Sequence, residues 1–118
     1  MEIKQLIEDA HAQAIKSGWW VERRNIGELF MLMASEVTEA FEHYRNGYDP
    51  DEVFFMPVLV DDGNITANKP DGVPIELADV VIRIADFCGE YNIDLEKAIE
   101  MKMRFNAKRS KRHGGKRA

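Results

Sequence analysis

Residues 74–90 read Pro-Ile-Glu-Leu-Ala-Asp-Val-Val-Ile-Arg-Ile-Ala-Asp-Phe-Cys-Gly-Glu. Proline fits the first turn of a helix, where its missing N–H has no intrahelical partner, so the spacing predicts a helix over 75–90. At about 100° per residue, Glu76, Asp79, Arg83, Asp86 and Glu90 fall within one arc of roughly 80°, and apolar residues cover most of the rest. A helix on a monomer's surface has a broader polar face than this. The charged stripe is therefore expected to face a cleft with apolar surroundings.

Working back along the chain, Asn25 is placed to cap a second long helix, with Glu28 three residues on, and Asn46-Gly47 to stop it after Arg45. This helix carries Glu36-Val37-Thr38-Glu39, two carboxylates three residues apart and so neighbours on one face. Glu76-Leu77-Ala78-Asp79 repeats the arrangement. Four carboxylates converging from two antiparallel helices repel one another and shift their pKa values upward unless a cation is present. Hard oxygen ligands suit magnesium, or manganese as a second choice. Either pair alone reads best as a solvated helix face; two pairs, each inside an otherwise apolar helix, make the shared cation site the better reading.

The rest of the chain completes an all-α, four-helix pattern. Ile3, Leu6, Ile7, Ala10, Ala14 and Ile15 have helical spacing up to the stop at Ser17-Gly18, and Asp94 is the expected N-cap of a last helix from Leu95 to Arg109. Between the second and third helices, 48–74 reads as a loop able to hold a small hairpin, with strands over 53–60 and 65–67 around the turn at Asp61-Asp62-Gly63-Asn64. A helical domain over 1–109 and a basic tail over 110–118 follow. Helical bundles bury one stripe per helix, and symmetric pairing is the simplest cover for the apolar surface left over, so at least a homodimer is expected.

Composition limits the rest. With 118 residues and a net charge of −5, the chain is about one domain long, and every charged residue from Lys102 onward is basic. No apolar run approaches the roughly 18 residues of a membrane span, the N-terminus lacks a secretory pattern, and Cys88 has no partner for a disulfide or zinc site. A cytoplasmic protein is expected, with Cys88 as core filler. The acidic body argues against a nucleic-acid surface there. His11 and His43 lack a metal-ligand constellation of their own and are expected to be solvated or hydrogen-bonded. No nucleophile and base pair, glycine-rich phosphate loop or Cys/His cluster is present.

Two further groups bear on substrate. Lys102, Asn106 and Arg109 share a face of the last helix, where they can meet a triphosphate or simply be the cations a helix C-terminus favours. Trp19 and Trp20 follow Gly18, where an indole can stack on a base or staple the first helix to the bundle.

These residues together resemble the MazG-like all-α nucleotide pyrophosphohydrolases. The likeness rests on Glu-x-x-Glu, then a loop, Glu-Leu-Ala-Asp-Val-Val and a following Asn and Arg. It extends to Gly18-Trp19-Trp20, to Lys69-Pro70-Asp71-Gly72-Val73-Pro74 and to His113-Gly114-Gly115-Lys116. The resemblance implies magnesium bound by Glu36, Glu39, Glu76 and Asp79, and a nucleotide approached by Lys102 and Asn106. It implies dimers or dimers of dimers, and cleavage between the α and β phosphates. For that reaction Glu36 or Glu39 is expected to orient the attacking water, and Lys102 and Arg109 to stabilise the leaving pyrophosphate. Two departures stand out: Ser35 occupies a position where many relatives carry a further Glu, and the loop between the motifs is longer. Phosphoribosyl-ATP is an alternative substrate on the same resemblance. From another class, a non-catalytic helical partner protein with a nucleic-acid-binding tail also fits the basic C-terminus.

Overall fold

The computed structural model describes residues 1–59, 63 and 65–109 and is mostly helical, in the order α1 (Ile3–Lys16), α2 (Ile26–Arg45), β1 (Phe54–Leu59), β2 (Ile65–Asp71), α3 (Val73–Glu90) and α4 (Leu95–Ala107). The sequence expectations for the helix ends hold for local reasons. The Asn25 side chain accepts from the Glu28 N–H, Asp94 accepts from the Lys97 N–H, and Pro74 sits in the first turn of α3. Gly18 N–H donates to the Ile15 carbonyl and Trp19 N–H to the Ala14 carbonyl, which closes α1 with a Schellman pair; Gly47 and Tyr48 close α2 in the same way on Tyr44 and His43.

Two elements differ from expectation. α4 ends at Ala107, two residues short of Arg109, because Lys108 and Arg109 donate to the Phe105 and Asn106 carbonyls in tighter terminal turns. The segment between α2 and α3 is a formed antiparallel hairpin, whose second strand runs on through Lys69 and Pro70 to Asp71, with Phe54 opposite Asp71. Proline usually argues against continuing a strand. In a two-stranded ribbon, however, each strand has an open edge, so the donors that Pro57 and Pro70 lack need not be ladder donors. Of the expected turn, Asp61, Asp62 and Asn64 lie outside the described residues, as does the 110–118 tail.

α3 is the central helix, packed between α1 and α2, while α4 rests chiefly on α1 and has no buried residue. Ala10, Leu29, Ala40, Ala85 and Cys88 form the core, Cys88 as expected, and no large side chain is fully buried among the described residues. Small residues let the helices approach closely: a Cβ on Gly89 of α3 would lie 2.6 Å from the His11 Cβ of α1. No helix is long and apolar enough to cross a membrane among the described residues.

Candidate metal centre

α2 and α3 run side by side, and their acidic pairs meet. Single carboxylate oxygens of Glu36, Glu76 and Asp79 lie within 4.8 Å of one another, a spacing compatible with one hexacoordinate cation whose ligands sit about 2.1 Å from it. Glu36 is 7% and Glu76 6% exposed. The angular count on α3 thus places its stripe correctly: Glu76 and Asp86 are buried, and Asp79, Arg83 and Glu90 are half-buried. Glu39 has an exposed position on α2, yet its carboxyl reaches both Glu36 and Glu76. It stands at the rim of the cluster and is not one of the three close ligands.

The electrostatics follow from burial and crowding. Burial pushes Glu76 up to about 9, and the neighbouring Glu39, Asp71 and Glu36 carboxyls add to the shift because they favour its protonated form. Its Oε2 is buried and has no hydrogen-bond partner among the described residues. Burial and the Glu36 charge raise Asp79 as well, against the pull of Arg83 and Lys69. Glu36 goes the other way. Burial would raise it, but hydrogen bonding with Glu39, Arg83 and Glu76 and the Arg83 charge hold it below the ordinary carboxylate value. The Arg83 Nε donates to Glu36 Oε1 at 2.8 Å. Among the described residues Arg83 pairs directly with Glu36, and Glu76 has no Lys or Arg within ion-pair distance.

A cleft of roughly 390 Å³ opens beside this cluster, with Trp19, Glu36, Asp79, Arg83 and Asp86 on its walls. Arg24 lies 3.6 Å over the Trp19 ring and donates its Nε to the Trp19 carbonyl, and Arg83 lies 5.1 Å from the same ring. Trp20 has the packing role open to one of the pair: its indole N–H donates to the buried Asp86 at 2.8 Å, and it meets His11 and Tyr91 edge-on. Burial raises Asp86 despite that hydrogen bond.

The last helix is placed differently. Lys102, Asn106 and Arg109 make no hydrogen bond or ion pair with the acidic cluster among the described residues. Lys102 and Arg109 lie over Phe105, and the Arg109 Nη1 donates to the Asn106 Oδ1 at 3.5 Å. Within one chain these three residues are not assembled with the acidic cluster.

Sequence reasoning expected His43 to be solvated or hydrogen-bonded, and it is hydrogen-bonded; Asp71 was given no role of its own. His43 Nε2 is 2.8 Å from Asp71 Oδ1 and 3.3 Å from Glu76 Oε1, and ligand atoms of these three residues also lie within 4.8 Å of one another. His43 therefore does have neighbours of metal-ligand type, which corrects the expectation that it stands apart from any such constellation. A signal existed for it: Glu36, Glu39 and His43 follow the spacing i, i+3, i+7 and so share one face of α2. Asp71 carries no comparable signal, since the hairpin brings it there. Its neighbour Gly72 has φ +117, and a Cβ there would overlap the Glu52 carbonyl oxygen, so glycine allows the sharp entry into α3 that holds Asp71 and Glu76 together. His11 pairs with Glu90 at 3.0 Å at the C-terminal end of α3.

No protein-family profile, curated protein or solved structure matches the chain.

Proposed function

We propose that this chain is a magnesium-dependent nucleoside triphosphate pyrophosphohydrolase of the MazG-like four-helix type. It would act in the cytoplasm as at least a homodimer and convert an NTP or dNTP and water into the monophosphate and pyrophosphate. The observation that carries this reading is Glu76, a buried carboxyl with an orphaned oxygen, set among Glu36 and Asp79 at the spacing of a single coordination shell. An acidic group of this kind has no stable charged form without a cation, and its donors are the hard oxygens that magnesium prefers.

Glu36, Glu76 and Asp79 would hold the ion, with Glu39 at the rim. When bound, magnesium supplies charge neutralisation for the triphosphate oxygens. The protein's own groups do the rest. Glu39, exposed at the rim of the cluster, would orient a water toward the α-phosphorus and take its proton. Trp19 offers the cleft an indole for the base, and Arg83 a guanidinium for phosphate. Lys102, Asn106 and Arg109 would reach the leaving pyrophosphate from a second copy, since they do not meet the cluster within one chain.

A pyrophosphate-release screen over canonical and damaged nucleotides, with phosphoribosyl-ATP included, tests the reading. Release in magnesium that stops with chelator is expected. Absence of release from every nucleotide, together with salt-dependent nucleic-acid binding, would replace this reading with that of a partner protein.

A further inference from the structure

We propose that His43, Asp71 and Glu76 form a second divalent-cation position, one that takes a transition-metal ion of the manganese type and shares Glu76 with the all-oxygen position above. It rests on that reading only through the shared carboxylate. Three observations converge on it.

The first is an unmet demand for positive charge. One His43 N–H is shared between Asp71 and Glu76, and the Gly72 N–H reaches Asp71 Oδ1 at 2.9 Å. Among the described residues the Glu76 Oε1 has no side-chain donor but His43, its Oε2 has none, and its side chain is only 8% exposed. A cation in place of the shared proton would meet the His43 lone pair and one oxygen each of Asp71 and Glu76, and would leave the Glu76 Oε2 for the all-oxygen position.

The second is the donor set. An imidazole nitrogen with two carboxylates departs from the oxygen-only group of Glu36, Glu76 and Asp79, and nitrogen donors favour first-row transition ions over magnesium. Manganese accepts both donor types.

The third is the enclosure. Tyr48 and Phe54 stack on each other at 4.2 Å, and both present themselves edge-on to the His43 ring, at 6.1 and 5.5 Å between centroids. Phe54 opens β1 and faces Asp71, the last residue of β2. The hairpin between the two acidic motifs therefore supplies both a ligand and the aromatic wall that fixes the imidazole plane. Its role here is to build the second position, and a shorter connection would supply neither.

The test uses the full chain stripped of metal and titrated with manganese alone, read by calorimetry for stoichiometry and by pulsed electron paramagnetic resonance for coupling to an imidazole nitrogen. Wild type should bind two ions per chain, one of them nitrogen-coupled. His43→Gln should lose the coupled ion and keep the other, and Asp71→Asn should weaken the coupled ion by about 10-fold or more. Circular dichroism checks folding, and Asp71→Asn alone decides the matter should His43→Gln fail to fold. Saturated wild type without nitrogen coupling, or coupling that survives His43→Gln, would overturn the second position. Asp79→Asn separates the two proposals, since it should abolish pyrophosphate release and retain the nitrogen-coupled ion. Magnesium-dependent release without any nitrogen coupling would leave the activity standing and remove only the second position.

Discussion

α3 has two unlike sides, and their exposure is the reverse of the usual pattern. On one side Glu76 and Asp86 are 6% and 7% exposed; on the other Leu77 and Val81 are each 49% exposed. α2 continues the apolar side with Phe30, Val37 and Phe41, each more than half exposed. Buried carboxylates cost free energy unless a counter-charge meets them, and exposed apolar side chains gain by leaving water. The proposed function answers the two sides differently, with a cation on the acidic side and a second copy of the chain on the aliphatic side. The two answers are chemically independent and can be tested separately.

The largest effect is expected on the acidic side. Glu76→Gln should lower pyrophosphate release by more than the roughly 10–100-fold typical of groups that merely orient a metal ligand. It should also abolish the rise in melting temperature that magnesium produces in the wild type. In the metal-free chain the variant should melt like the wild type near pH 4.5 and at a higher temperature at neutral pH, because ionisation of Glu76 in the unfolded state then no longer opposes folding. Near-normal release from this variant would remove Glu76 from the site.

On the aliphatic side, Val81→Glu should reduce the mass measured by light scattering to that of one chain. In a monomer the same exposed substitution would change stability by no more than about 0.5 kcal/mol. A wild-type mass of a single chain at micromolar concentration, with activity retained on dilution, would remove the second copy from the proposal.

The pH dependence isolates the acidic side alone. Glu76 titrates near 4.5 when unfolded and near 9 in the folded, metal-free chain. Between those values the folded state holds the extra proton, so stability should fall as pH rises, by at most on the order of 1 kcal/mol per unit. Glu36 and Asp71 act in the opposite sense at the acid end. Their folded values are lowered, so the stability they contribute is present above the ordinary carboxylate range and is lost as pH falls through those lower values. Melting curves of the metal-free chain should therefore decline toward alkaline pH, and Glu76→Gln should flatten the decline. A wild-type curve that is level across that interval would contradict the burial of Glu76.

The smallest effect concerns α4. Lys102→Ala should raise KM for the triphosphate by about 10-fold, the worth of one charge-assisted hydrogen bond, and leave kcat nearly unchanged. An unchanged KM would mean that this lysine stays as far from the cluster in the assembly as it does in one chain.

Local chemistry made much of this protein legible from its sequence. The caps at Asn25 and Asp94, the proline at the start of α3 and the stop after Arg45 each depend on backbone groups within a few residues, and each is found where it was read. The meeting of Glu36 with Glu76 and Asp79 was legible for a similar reason. Two long helices joined by one connection pack side by side, and the spacing of three puts each carboxylate pair on a single face.

Tertiary structure alone decided the rest. His43 and Asp71 are 28 residues apart and meet because the end of β2 leads into α3, which packs beside α2. That meeting is accompanied by the contacts of Tyr48 and Phe54 with the His43 ring and by the open edges that let β2 run through Pro70, and neither leaves a periodic trace in the sequence. The position of α4 was equally hidden. A helix's own pattern reports which of its faces is apolar, but not which neighbour that face meets, so the chemistry of Lys102, Asn106 and Arg109 could be read while their distance from the acidic cluster could not.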